Sequence, residues 1–314
     1  MRTIVCTLDL PEKARDAILK LSPDIKLLIA QERDAMMEVA PEAEIWFGGG
    51  MRPEIFERCR RLKWIQAISA GVDRYMFREL VESDVILTNV RGMHAETIAE
   101  HVFMFMLAFS RNLLHHLDRQ GDREWDRSLT PRELTGQTLG IVGLGSIGQE
   151  IARRAACWGM RVLGVRRSGR PVDGVARVYT PDQLHEVLAL SDFVVLCAPS
   201  TPETRGMLGP AEFRAMKKGS IFINVARGDM VDEDALLEAL TTGHLAGAGL
   251  DVFATEPLPE SSPLWEMPRV IITPHLAGSQ SDYVGRATEL FLENLRLYLA
   301  GQPLKRVVDK KLGY

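Results

Sequence analysis

Cysteine is scarce in this chain, with four residues among 314. Cys6, Cys59, Cys157 and Cys197 are scattered and form neither a CxxC pair nor a metal-like spacing. That pattern offers no disulfide framework and no metal site, and it makes a reducing cytoplasm the expected compartment. Charge of one sign is not in excess either. The 38 basic and 42 acidic side chains leave a formal net charge of -4, so the electrostatic footprint of a nucleic-acid binder is missing. No stretch approaches the ~20 apolar residues of a membrane span. The opening Met1-Arg-Thr-Ile-Val-Cys-Thr-Leu8 has no long apolar core and reads as a first β-strand instead of a signal peptide. Internal repeats and low-complexity segments are lacking.

What the chain does have is the balance of a globular protein, 46% hydrophobic and 25% charged, at a length suited to two domains. Short apolar runs at 25–30, 45–50, 64–69 and 85–88 alternate with helical stretches, the pattern of a parallel sheet with crossover helices. The longest apolar helix candidate, Ala95 to Leu117, is interrupted by Glu96, Glu100, His101, Ser110, Arg111, His115 and His116, and reads as a buried or interface helix. Residues 118–137 are polar and read as an arm or linker. A second series then begins, with strands at 139–142, 161–165, 192–198, 221–225, 246–251 and 270–273 and a helix over 146–158. Val284, Ala287, Phe291, Leu295 and Tyr298 recur at steps of three and four, predicting a closing amphipathic helix that returns to the first domain.

Gly143-Leu-Gly145-Ser146-Ile147-Gly148 follows an apolar strand and opens a helix, the setting a dinucleotide fingerprint requires. Gly143 permits the tight turn, Gly145 the backbone's approach to a pyrophosphate, and Gly148 close packing of helix on strand. The amides of Ser146 and Ile147 face the anion. The alternative is an ordinary glycine-rich turn. About 20 residues on, a site for NAD normally carries an acid that binds the ribose 2′-hydroxyl. Here the strand at 161–165 ends in Arg166-Arg167-Ser168. Guanidinium groups pair with a 2′-phosphate that a carboxylate would repel, so NADP(H) is expected in preference to NAD(H). A solvated basic turn is the alternative.

Three further strand ends supply a guanidinium, a carboxylate and an imidazole: Asn224-Val-Ala226-Arg227-Gly228, Thr255-Glu256-Pro257 and Thr273-Pro274-His275-Leu-Ala-Gly278. Reduction of a ketone by a nicotinamide needs a proton on the carbonyl oxygen, and histidine is the side chain suited to give it near neutral pH. Glu256 is placed to bond one ring nitrogen of His275 and favour its charged form. Arg227 offers a fork for a substrate carboxylate. Taken singly, a histidine in an apolar run is ordinarily a core residue, and an arginine before glycine a surface charge; jointly, downstream of a glycine loop, the three specify chemistry. Asp251 holds a fourth strand end, either touching the nicotinamide amide or capping a turn. No metal ligand set accompanies them.

These residues, with Ala198-Pro199-Ser-Thr-Pro-Glu-Thr204-Arg205, Gly249-Leu-Asp251-Val-Phe and the closing Asn294-Leu-Arg-Leu-Tyr-Leu-Ala-Gly301, resemble the D-isomer-specific 2-hydroxyacid dehydrogenases over nearly the whole chain. The resemblance implies two Rossmann-like, doubly wound α/β domains with an active cleft between them: a substrate domain from residues 1–98 plus 281–314, and a dinucleotide domain over 99–280. It implies that Arg227, Glu256 and His275 are substrate clamp, partner carboxylate and general acid/base, that Pro199, Thr204, Ala226 and Gly278 join the cofactor contacts, and that the Ala70 and Gly71 amides hold the substrate carboxylate. It further implies a homodimer built through the helix near 95–117. Length and the phrase Leu62-Lys-Trp64-Ile-Gln-Ala-Ile-Ser-Ala-Gly-Val-Asp73 are most similar to glyoxylate/hydroxypyruvate and short 2-ketoacid reductases. Glu256 sets the chain apart from the formate dehydrogenases of this superfamily, which carry glutamine there. Dinucleotide-sensing corepressors of the same fold share the triad, although the tails and partner-binding segments they add have no counterpart here.

Overall fold

In the computed structural model, which describes residues 1–314, the chain separates into two compact units, Met1–His94 with Gln280–Tyr314, and Ala95–Ser279. Each is built on one parallel sheet, because strands joined through helices, and not through tight hairpins, run in the same direction. No helix is long and apolar enough to cross a membrane.

The first unit carries β1 (Arg2–Cys6), β2 (Ile25–Ile29), β3 (Ile45–Phe47), β4 (Trp64–Gln66) and β5 (Ile86–Thr88), in the spatial order β2-β1-β3-β4-β5. All adjacent strands pair in parallel. β3 ends earlier than its apolar run. Gly48 follows with φ +135, and a Cβ on it would lie 2.0 Å from the Thr7 hydroxyl, so only glycine lets the chain leave the sheet beside β1. The helix Tyr283–Leu299 packs on this sheet. Its Phe291 ring is fully buried, stacked 4.1 Å from Phe47 and 5.2 Å from Trp64. Burial of such a ring contributes roughly 2–3 kcal/mol. Asn294, also buried, donates to Gln66 Oε1 at 3.2 Å and to the Lys305 carbonyl at 3.0 Å, so the polar group within the apolar face is satisfied.

The second unit carries β6 (Thr138–Val142), β7 (Arg161–Val165), β8 (Arg177–Tyr179), β9 (Phe193–Leu196), β10 (Ile221–Asn224), β11 (Gly247–Leu250) and β12 (Val270–Ile272), ordered β12-β11-β10-β9-β6-β7-β8. Winding reverses between β6 and β9, and in open α/β sheets the loops after such a pair bound the ligand crevice. Most strand residues between β6 and β11 are buried, which explains near-continuous apolar runs in place of alternation.

Two further features differ from the sequence-based expectation. The helix expected from Ala95 to Leu117 is two helices, Ala95–Ser110 and Leu113–Gly121. Between them Asn112 takes φ 54°, a left-handed conformation that asparagine tolerates better than most residues. The second helix thereby enters the 118–137 segment, and only its remainder lacks helix and strand. The edge strand β8 and the helix Leu184–Leu190 add a crossover whose apolar signal is too short to stand out in the sequence.

Candidate active site

The glycine loop lies at the reversal between β6 and β9. Gly143 has φ +107, and a Cβ there would meet the Ala198 backbone at 2.6 Å; a Cβ on Gly148 would fall 2.1 Å from the Gly143 carbonyl. Around Gly145, by contrast, nothing lies within 4 Å of the position a Cβ would take. Two glycines are therefore demanded by packing and the third leaves backbone open, which is the cradle a pyrophosphate needs. Gly145 is the N-cap of the helix Ser146–Cys157, whose first amides have no partner within the helix. Burial pushes the Cys197 thiol up to about 12, so it stays protonated and donates to the Gly143 carbonyl at 3.0 Å. These residues fit a dinucleotide.

Beside the loop, Thr204 Oγ1 donates to the Pro199 carbonyl at 2.8 Å and accepts from the Thr201 amide at 2.8 Å, closing the turn after β9. At the end of β7 the Arg166 amide donates to the Tyr179 carbonyl of β8, and the Gly169 amide to the Arg166 carbonyl. Arg166 is half-buried, whereas Arg167 and Ser168 are exposed.

The ends of β10, β11 and β12 are in register, with Asn224 beside Leu250 and Leu250 beside Ile272. Residues just beyond these ends share one edge of the sheet. Asn224 shapes the first: its side chain accepts from the Ala226 amide at 3.0 Å and donates to the Arg227 carbonyl at 3.1 Å. The Arg227 guanidinium donates to the Ala226 carbonyl at 2.7 Å. Gly228 packs so closely that a Cβ would lie 1.8 Å from the Phe253 carbonyl carbon.

His275 Nδ1 lies 2.7 Å from Glu256 Oε2, and Glu256 Oε1 accepts from the Phe253 amide at 3.1 Å. A carboxylate has no proton to offer, so Nδ1 carries the hydrogen and Nε2 is left for exchange. The imidazole remains 42% exposed, open to a reactant. His275 adopts φ 51°, a conformation that costs a non-glycine residue about 1–2 kcal/mol.

Asp251 holds that backbone. It is 1% exposed, and its Oδ1 accepts from the Leu276 amide at 2.9 Å and from Thr273 Oγ1 at 2.6 Å, while Oδ2 accepts from the Ala277 amide at 2.9 Å. The carboxylate therefore caps the turn. Behind it His101 Nε2 sits 2.9 Å from Thr273 Oγ1 and 3.7 Å from Asp251 Oδ1. Because the threonine hydroxyl donates to Asp251, His101 is the donor to Thr273. Burial lowers the imidazole pKa of His101, against the pull of the Asp251 carboxylate. Neither Thr273 nor His101 has a role legible in the sequence; the only signal is a histidine interrupting an apolar helix.

The profile of the D-isomer specific 2-hydroxyacid dehydrogenase NAD-binding domain matches residues 103–277, more than half of the chain. The chain belongs to that family. The glyoxylate reductase of Korarchaeum cryptofilum is 35% identical over 268 residues, covering 82% of this chain and 80% of that one. The D-3-phosphoglycerate dehydrogenase of Mycobacterium tuberculosis is 33% identical over 89% of this chain, which spans 53% of that enzyme's length. The crystal structure of the NADPH-dependent glyoxylate/hydroxypyruvate reductase of Sinorhizobium meliloti, in complex with NADP and sulfate, superposes with a TM-score of 0.89 at 31% identity, covering 100% of both chains. The protein is an enzyme of this family, with the family's NAD(P)-binding domain in its second unit. Of the site residues expected from the sequence, Gly143 to Gly148, Arg166 to Ser168, Pro199, Thr204, Ala226, Arg227, Asp251, Glu256, His275 and Gly278 lie in that unit, whereas Ala70 and Gly71 lie in the first.

Proposed function

We propose that the protein reduces a small 2-oxoacid of the glyoxylate/hydroxypyruvate type to the D-2-hydroxyacid, with NADP(H) preferred and NAD(H) used less well. The observation that carries this reading is the 2.7 Å contact between His275 Nδ1 and Glu256 Oε2 on the turn capped by Asp251. When bound, the nicotinamide supplies the hydride. Glu256 holds the proton on Nδ1 and orients the ring, so that Nε2 of the imidazolium donates to the carbonyl oxygen and recovers the proton in the reverse direction. Arg227 pairs with the substrate carboxylate and draws charge toward the carbonyl oxygen. The Ala70 and Gly71 amides are the second carboxylate anchor. The Gly143 loop takes the pyrophosphate at the helix N-terminus, with Pro199, Thr204, Ala226 and Gly278 lining the rest of the dinucleotide site.

Preference for NADP(H) is supported by the Arg166-Arg167-Ser168 turn, where no carboxylate stands to bind a free 2′-hydroxyl, and by the NADPH dependence of the S. meliloti relative. A homodimer through the helices near 95–117 is supported by the exposure of Met104, Leu113 and Leu117, which are 44%, 46% and 52% exposed. The compartment this reading favours is the cytoplasm. The test is loss of nicotinamide absorbance with glyoxylate, hydroxypyruvate, pyruvate and bulkier 2-oxoacids, each with NADPH and NADH. Turnover of one small 2-oxoacid, faster with NADPH, is the expected result. No consumption of either dinucleotide across the panel would overturn the proposal.

A further inference from the structure

The loop after β4 is held from behind by side chains that all act on carbonyl groups. Asn89, 3% exposed, donates from Nδ2 to the Ala70 carbonyl at 2.8 Å. Its own Oδ1 accepts from the Arg91 amide at 3.2 Å, which fixes the orientation of the amide group. Tyr283, the first residue of the helix Tyr283–Leu299, donates its hydroxyl proton to the Ile68 carbonyl. Ser69 Oγ donates to the Gly71 carbonyl at 2.7 Å.

A trans peptide places its C=O and N–H on opposite sides of the bond. With the Ile68 and Ala70 carbonyls turned toward Tyr283 and Asn89, the amides of Ser69 and Gly71, which share those peptide units, point away from them. The Ser69, Ala70 and Gly71 amides donate to no protein acceptor. Successive backbone donors without partners, on half-buried residues, form an anion-binding concavity. We infer that Tyr283 and Asn89 are positioning residues for substrate recognition: by gripping the carbonyls of Ile68 and Ala70 they keep the Ser69 and Gly71 amides aimed at a carboxylate, and so make the enzyme select acids over neutral carbonyl compounds. The inference rests on the proposed reading that this loop takes the substrate carboxylate.

Tyr283 is the cleaner of the two to alter, because its ring also lies against His94, 5.5 Å between centroids, and phenylalanine retains that contact. The experiment compares KM and kcat for the 2-oxoacid turned over best and for its methyl ester, in the wild type, Tyr283→Phe and Asn89→Ala, with NADPH affinity measured alongside. The expected result for Tyr283→Phe is a KM for the acid raised about tenfold, with kcat, the KM for the ester and the NADPH affinity unchanged. Asn89→Ala moves in the same direction. An equal rise for acid and ester, a fall in kcat alone, or no change in Tyr283→Phe would overturn the inference while leaving the carboxylate reading intact. A wild type that does not favour the acid over its ester overturns both.

Discussion

Asp251 and His275 are joined through the main chain, the His275 amide donating to the Asp251 carbonyl at 2.8 Å while the Asp251 carboxylate takes the two amides that follow the histidine. The contact explains how a histidine holds φ 51° at a strand end. Strain of that kind persists where surrounding bonds over-determine the conformation, and here a buried carboxylate supplies them.

Replacing Asp251 by alanine leaves the Leu276 and Ala277 amides without acceptors. Ala277 is buried, and orphaning its amide costs about 1–3 kcal/mol, whereas Leu276 is 40% exposed and its amide turns to water at smaller cost. A lowered urea midpoint and a loss of activity larger than the loss of dinucleotide affinity are expected; unchanged stability would show that the turn does not depend on this carboxylate.

Within the proposed mechanism, His275→Ala leaves NADPH binding intact and lowers kcat by roughly 10²-fold or more. Glu256→Gln keeps a group that can accept from Nδ1 but removes the charge that stabilises the imidazolium, so kcat falls while NADPH affinity is retained. Full turnover by His275→Ala would remove the ring from the reaction.

Arg166→Asp sets a carboxylate at the end of β7, where it repels a 2′-phosphate and accepts from a ribose hydroxyl. The ratio of kcat/KM for NADPH to that for NADH is expected to fall about tenfold or more. An unaltered ratio would make the turn a solvated surface feature.

Burial lowers the pKa of His94 below its ordinary 6.5, and burial does the same to His101. Above pH 6.5 both rings are neutral in the folded and unfolded chain, and stability is flat on their account. As pH falls below 6.5 the unfolded chain takes up protons that the folded chain refuses, so stability declines, by up to about 1.4 kcal/mol per pH unit for each ring. Urea unfolding at pH 8 and pH 5.5 reads the difference, and His94→Phe is expected to reduce it. Equal stability at both pH values in the wild type would contradict the burial of these rings.

A methyl group at Gly148 falls 2.1 Å from the Gly143 carbonyl, a clash with backbone. Gly148→Ala is therefore expected to displace the loop and weaken NADPH binding at least tenfold by fluorescence titration, and Gly145→Ala, with open space around it, to destabilise the unbound protein far less. Equal destabilisation by both would refute the packing argument.

The glycine loop, the basic turn and the ends of β10, β11 and β12 are legible in the amino-acid sequence because each is local. A strand, a turn and the residue that leaves it are contiguous, and apolar runs with their punctuation mark them without reference to the rest of the chain. Other features are not local. That Asp251 caps the His275 turn depends on burial and on the register of β11 with β12; that His101 meets Thr273 depends on a helix crossing behind those strands, 172 residues away in sequence. The grip of Tyr283 and Asn89 on the Ile68–Gly71 loop is of the same kind. The sequence by itself determined which chemical groups reach the sheet edge, since that follows from where strands stop. Tertiary structure alone decided which of those groups face outward and which are consumed in holding the others, because hydrogen bonds between distant residues form only where packing brings donor and acceptor together and excludes water.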